Sequence, residues 1–167
     1  MLKNASKEQK IYLLNQFLEA VRTTVYRQVQ FAEFEKCIHG EISAGKTLVA
    51  KNLEELWLDL NKKYYGETLT LDSELSAEWS RIPHFYTPFY VYKYATGYSA
   101  ATTFADLILQ NKSEAKEKYL NFLSSGGSDY SLALLQKAGV DLNTPMPVEY
   151  TLRKFQEKLA ELKTLLG

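Results

Sequence analysis

From Ile11 to Ile38 the apolar residues recur at intervals of three and four: Ile11, Leu14, Phe17, Leu18, Val21, Val25, Phe31, Phe34 and Ile38, with Gln28 in the same register. That spacing draws one continuous stripe along an α-helix. Ser6, ahead of the stripe, is a residue type that caps a helix start, and Gly40 is the first position suited to ending it. The pattern predicts a single, very long amphipathic helix. Such a length exceeds that of ordinary globular helices, so this element is expected to pack against more protein than the chain contains. Along it, Arg22, Arg27, Gln28, Gln30, Glu33 and Glu35 form a polar belt. The simplest expectation for the belt is pairing within the helix, Arg27 with Gln30 and Glu35 with His39.

The rest of the chain repeats the same architecture in shorter pieces. Leu48 to Tyr65 carries Leu53, Leu56, Trp57, Leu60 and Tyr64 at helical spacing and is closed by Gly66. ETLTLD is a turn or a short extended piece, and Asp72 is placed to cap a brief helix whose Trp79 anchors the stretch that follows. Phe89 to Gln110 reads as a helix opened by Pro88. Ser113 is expected to cap a helix with Tyr119, Leu120, Phe122 and Leu123. Ser128 is expected to cap one whose Leu132, Leu135 and Ala138 face inward. Pro147 opens a last helix through Leu152, Phe155, Leu159, Leu162 and Leu166. The chain is therefore predicted to be all-α, a bundle of six or seven helices forming a single helical unit over residues 1–167. At 167 residues it is long enough to bury about 70% of its unfolded surface in one core.

Composition excludes several classes of partner. Twenty basic and twenty acidic residues leave a formal net charge of zero, so no field points at nucleic acid or at an anionic membrane. No apolar run approaches the ~20 residues of a membrane-spanning helix. A single cysteine, Cys37, precludes an internal disulfide, and the amino terminus lacks an apolar signal core. A cytoplasmic chain is the expectation.

Chemistry concentrates in residues 81–100, RIPHFYTPFYVYKYATGYSA, where His84, Tyr86, Tyr90, Tyr92, Tyr94 and Tyr98 follow one another behind Pro83 and Pro88. The prolines push Ile82 and Thr87 away from helical angles, so His84 to Thr87 is expected to be an irregular connector that presents polar tips from a loop. On the helix that follows, Tyr90 and Tyr94 are four apart and share a face, Tyr98 continues it, and Tyr92 points elsewhere. A phenol is a neutral donor below about pH 10 and an imidazole titrates near about 6.5, a pairing suited to donating toward peptide carbonyls or a developing oxyanion. The competing expectation is that these rings are half-buried scaffold with satisfied hydroxyls.

Two other motifs carry less. Cys37 and His39 supply zinc-type donors, but two residues apart on a helix they project to different sides, and the chain has no further cysteine and only one other histidine to complete a set. His39 is expected to serve a helix C-terminus. GEISAGKT, residues 40–47, matches the spacing of a phosphate loop, yet what precedes it is a helical pattern rather than a buried strand.

Taken together and in order, RQVQFAEFE (27–35), YYG (64–66), RIPHFY with FYVYKYATGYSAA (81–101) and KAGVD (137–141) closely resemble the C-terminal part of oligoendopeptidase F. That family consists of zinc metallopeptidases related to thimet oligopeptidase, which cleave short peptides within a helical channel. The resemblance runs from about Lys7 to the last residue. It implies that His84, Tyr86, Tyr92 and Tyr94 act on the scissile carbonyl and its tetrahedral intermediate, with Tyr90 and Tyr98 as substrate contacts, and it does not assign the main oxyanion donor. It also exposes a departure. The family holds zinc through an H-E-x-x-H helix and a further glutamate, and no H-E-x-x-H occurs here. The chain is accordingly expected to be a fragment of such a catalytic domain without the zinc-binding helix, to bind no metal and to be inactive alone. Its expected partners are short peptides, the missing N-terminal part of the enzyme and a second copy through self-association. The alternative is a non-catalytic helical module that binds peptides or a protein.

Overall fold

A computed structural model of the chain describes residues 4–110, 112 and 114–167. Seven α-helices and no strand occur among them: α1 (Lys7–Val21), α2 (Arg27–Ser43), α3 (Ala50–Tyr65), α4 (Tyr92–Leu109), α5 (Ala115–Ser124), α6 (Ser131–Lys137) and α7 (Met146–Leu166). The fold is all-α, as the periodicity requires. No helix among the described residues is long and apolar enough to cross a membrane.

Contacts divide the chain into two compact units, one made of the chain up to Val25 and again from Ala95, the other of Tyr26–Tyr94. In the first, α1 packs along α7, with Leu14, Leu18 and Leu162 buried between Ile11, Phe17, Phe155 and Leu159. Ser6 caps α1 as expected, its hydroxyl accepting from the Gln9 amide while the Gln9 side chain accepts from the Ser6 amide. A second cluster joins Ala100 and Phe104 of α4 to Ala138 and Val140, under the rings of Tyr119 and Phe122.

The second unit is organised around Trp57, which is fully buried. Its indole meets Phe34 edge-on at 5.0 Å, Phe31 at 5.5 Å and Phe85 at 6.2 Å. Trp79 joins through Phe34, so it does anchor the stretch that follows. The Arg27 guanidinium lies 4.8 Å over the Phe31 ring and donates to Glu78 at 2.6 Å. Glu33 ties α2 to α3, accepting from Lys63 at 2.5 Å and Tyr64 at 2.9 Å. The bond from Lys63 holds the Glu33 carboxyl below the usual carboxylate range.

Several elements differ from the sequence reading. The long helix forms but changes register at Arg22–Tyr26, a π-helical turn, and runs past Gly40 to Ser43. Three consecutive β-branched residues, Thr23, Thr24 and Val25, lie in that turn, and the Thr23 hydroxyl bonds back to the Glu19 carbonyl, an interaction that loosens a helix locally. The two expected pairs within the helix give way to longer reaches, Arg27 to Glu78 and Tyr65 and Glu35 to Phe89, while Arg22 of the belt does pair within the helix, with Glu19. His39 stands a turn inside α2 with its ring on Phe89, so it is not a terminal cap. Residues 40–43, by contrast, are helical as their setting in the sequence implied, which leaves GEISAGKT without the strand a phosphate loop follows. Pro88 does not open α4, which starts at Tyr92. Asp72 precedes a 3-10 helix, Ser73–Arg81, without a side-chain cap. Ser128 is not a cap either, since α6 begins after Tyr130. Leu132 is exposed rather than inward-facing. The expected Ser113 cap lies outside the described residues.

Candidate active site

The segment between Ile82 and Val91 is pinned at both ends, because these two side chains are buried in the Trp57 cluster. Between them Pro83–Tyr86 winds into a single 3-10 turn, an irregular connector of the kind two closely spaced prolines dictate. Within the turn, neighbouring residues have opposite fates. Phe85 packs into the cluster against Phe31, Phe34 and Trp57, while His84 is left half-buried and Tyr86 is 85% exposed. The chain then turns at Phe89, which has a positive φ of 57°, and enters α4 at Tyr92.

This path brings three of the candidate residues together. The His84 imidazole stacks on the Tyr90 ring, with centroids 6.2 Å apart and planes 17° from parallel. Tyr94 stands edge-on to both, 5.9 Å from His84 and 5.5 Å from Tyr90. The Tyr94 hydroxyl lies 3.5 Å from His84 Nε2, at the outer limit of hydrogen-bond reach. Hydrogen bonding with Tyr90 and then partial desolvation raise the Tyr94 phenol above its ordinary pKa, which keeps it a neutral donor through the neutral pH range. The Lys93 ammonium sits 5.6 Å over the Tyr90 ring. His84 Nδ1 is buried without a hydrogen-bond partner among the described residues.

Tyr92, in the first turn of α4, is 47% exposed. Tyr98 belongs to the other unit, where it lines a cavity of about 530 Å³ with Phe17, Thr102, Asp106 and Lys154, and burial raises its phenol pKa. The Tyr90–Tyr94 contact starts ahead of the helix proper. Tyr90 precedes α4, but the Lys93 and Tyr94 amides donate to the Tyr90 and Val91 carbonyls, so the backbone is already wound there and the two rings meet at the expected spacing of four.

Two contributors are not apparent from the sequence reading. Phe85 is the ring that fixes the His84 turn to the core. Glu35, only 2% exposed on α2, accepts the Phe89 amide at 2.7 Å. One signal for it was present: Glu35 sits four residues after Phe31 and next to Phe34, an acidic residue inside an apolar stripe.

A zinc ion does not fit the residues present. Among the described residues no three histidine, cysteine, aspartate or glutamate side chains converge in a way that could hold a metal. What the trio offers is a cluster of hydrogen-bonding groups on an aromatic base pinned to the core at both ends.

Residues 1–154 match Peptidase family M3. The chain is 47% identical to oligopeptidase PepF of Bacillus subtilis over 167 residues, covering 99% of this chain and 25% of that protein. It is 42% identical to the group B oligopeptidase PepB of Streptococcus agalactiae, over 96% of this chain and 27% of that one. The crystal structure of oligoendopeptidase-F from Enterococcus faecium superposes with a TM-score of 0.96 at 42% identity, over 99% of this chain and 32% of that chain. The chain thus spans about a quarter of the length of the curated relatives it matches. With helices, aromatic loop and sequence in agreement, the chain belongs to peptidase family M3, as an oligoendopeptidase F-like segment.

Proposed function

We propose that this chain is the C-terminal, substrate-cleft portion of a zinc metallo-oligoendopeptidase that hydrolyses short peptides. The observation that carries the reading is the convergence of His84, Tyr90 and Tyr94 on a loop held at both ends by the core. In this reading the zinc ligands and the activated water come from the rest of the enzyme, and this chain alone is inactive. Its own residues bind and orient. Tyr94 and His84 donate toward the scissile carbonyl oxygen, and their donation strengthens as that oxygen gains charge. Tyr86 and Tyr92, both exposed beside the loop, are further donors to the same carbonyl and its intermediate. Tyr90 and Tyr98 contact the peptide. Tyr94 suits its role because a phenol holds its proton through the neutral range and can donate toward developing charge.

The test is a chimera in which the matching segment of the Bacillus subtilis PepF is exchanged for this chain. The chimera is expected to retain about one zinc per molecule after dialysis and to cleave a fluorogenic short peptide, whereas this chain alone is expected to do neither. Stoichiometric zinc on the isolated chain, or a folded, zinc-loaded chimera without hydrolysis, would overturn the proposal.

A further inference from the structure

We infer that Glu35 is a positioning residue for the His84–Tyr90 pair, acting through the backbone of Phe89; its catalytic consequence rests on the reading above. Phe89 adopts a left-handed conformation, φ 57°, which costs a residue with a Cβ and persists only where surroundings impose it. Burial of its own side chain cannot impose it, since Phe89 is 52% exposed. The constraints come instead from one face of α2. Glu35 Oε1 accepts the Phe89 amide at 2.7 Å, and His39, one turn further along, packs its ring 4.9 Å from the Phe89 ring.

Glu35 is itself an anomaly. A carboxylate that is 2% exposed is costly to bury, and no ion pair among the described residues includes it. The interaction that offsets its burial is the bond to an amide 54 positions away. That amide belongs to the residue where the chain turns between Pro88 and α4, and the direction of the turn decides where the next residue falls. Tyr90 falls over His84, ring on ring. Without the acceptor, the Phe89 amide is left unsatisfied, the left-handed turn loses its hold, and the chain between Pro88 and Val91 relaxes toward ordinary φ. Tyr90 then leaves the imidazole.

The inference is tested on the chain itself, without reference to turnover. Nuclear magnetic resonance is used to follow exchange of the Phe89 amide and ring-to-ring cross-peaks between His84 and Tyr90 in wild type, Glu35→Ala and Glu35→Gln. Glu35→Ala is expected to lower protection of the Phe89 amide about 10-fold or more and to abolish the cross-peaks, while Glu35→Gln, which keeps an acceptor oxygen, retains both. Intact cross-peaks and protection in Glu35→Ala would overturn it. If Glu35→Ala does not fold, Glu35→Gln decides: a freely exchanging Phe89 amide with undisturbed cross-peaks refutes the link, and retention of both supports it. In the chimera, Glu35→Ala should lower kcat more than it changes KM, with rescue by Glu35→Gln. If the rings separate in Glu35→Ala while His84→Ala leaves turnover unchanged, the catalytic reading fails and the positioning stands.

Discussion

Tyr94→Phe in the chimera is expected to lower kcat by about 10²-fold while leaving KM nearly unchanged, as befits loss of one donor aimed at charge that exists only in the transition state. The substitution keeps the ring, so the edge-on contacts with His84 and Tyr90 at 5.9 and 5.5 Å survive. Only the hydroxyl near His84 Nε2 is removed. His84→Ala should reduce kcat similarly, with some added loss of binding because the face under Tyr90 goes with it. If Tyr94 is scaffold instead, Tyr94→Phe costs at most about 1 kcal/mol of stability through one lost hydrogen bond and turnover is normal. Steady-state kinetics and a melting curve on the same preparation separate the two outcomes.

Trp57→Ala is expected to destabilise the chain by about 3–5 kcal/mol, a large share of the ~5–15 kcal/mol that holds a typical domain folded. Trp57 is fully buried among Phe31, Phe34 and Phe85, so its removal leaves a cavity that rigid ring neighbours cannot collapse to fill. The consequence reaches the site, because Phe85 is the neighbour of His84 in the 3-10 turn and takes its place from this cluster. Trp57→Phe, which keeps an aromatic ring, should recover most of the loss. Urea unfolding of the three proteins measures it, and a difference below about 1 kcal/mol between wild type and Trp57→Ala would contradict the packing account.

What was legible in the sequence were features set by near neighbours. The apolar stripes of α1, α2, α3 and α7 were readable because a buried helix face repeats every three to four residues. The Ser6 cap, the Gly66 stop and the irregular turn at His84 were readable because each follows from the torsions of one or two residues. What was not readable depends on contacts far along the chain. Pro88 is a reasonable helix opener, yet α4 starts at Tyr92 because Glu35 and His39 of α2 hold Phe89 in a left-handed turn. Arg27 lies within reach of helical partners, yet pairs with Glu78, 51 positions away. The π turn at Arg22–Tyr26 fell between these cases. Its β-branched residues were visible, but a helical period does not register one extra residue in a turn. Within the trio, the shared face of Tyr90 and Tyr94 was readable from their spacing, whereas the stacking of His84 on Tyr90 was not, since it depends on the turn at Phe89.

The most direct measurement is the affinity of the chimera and its variants for a phosphinic peptide, whose tetrahedral phosphorus oxygens stand where the intermediate's oxyanion would be. If His84 and the tyrosines donate to that oxyanion, the inhibition constant should track KM/kcat across His84→Ala, Tyr86→Phe, Tyr90→Phe, Tyr92→Phe and Tyr94→Phe, giving a logarithmic plot with a slope of about one. Substrate KM should stay nearly constant for Tyr86→Phe, Tyr92→Phe and Tyr94→Phe, and rise somewhat for His84→Ala and Tyr90→Phe, which also remove contacts to the peptide. A phosphinate affinity unchanged by all five substitutions would contradict the assignment and leave the loop as scaffold.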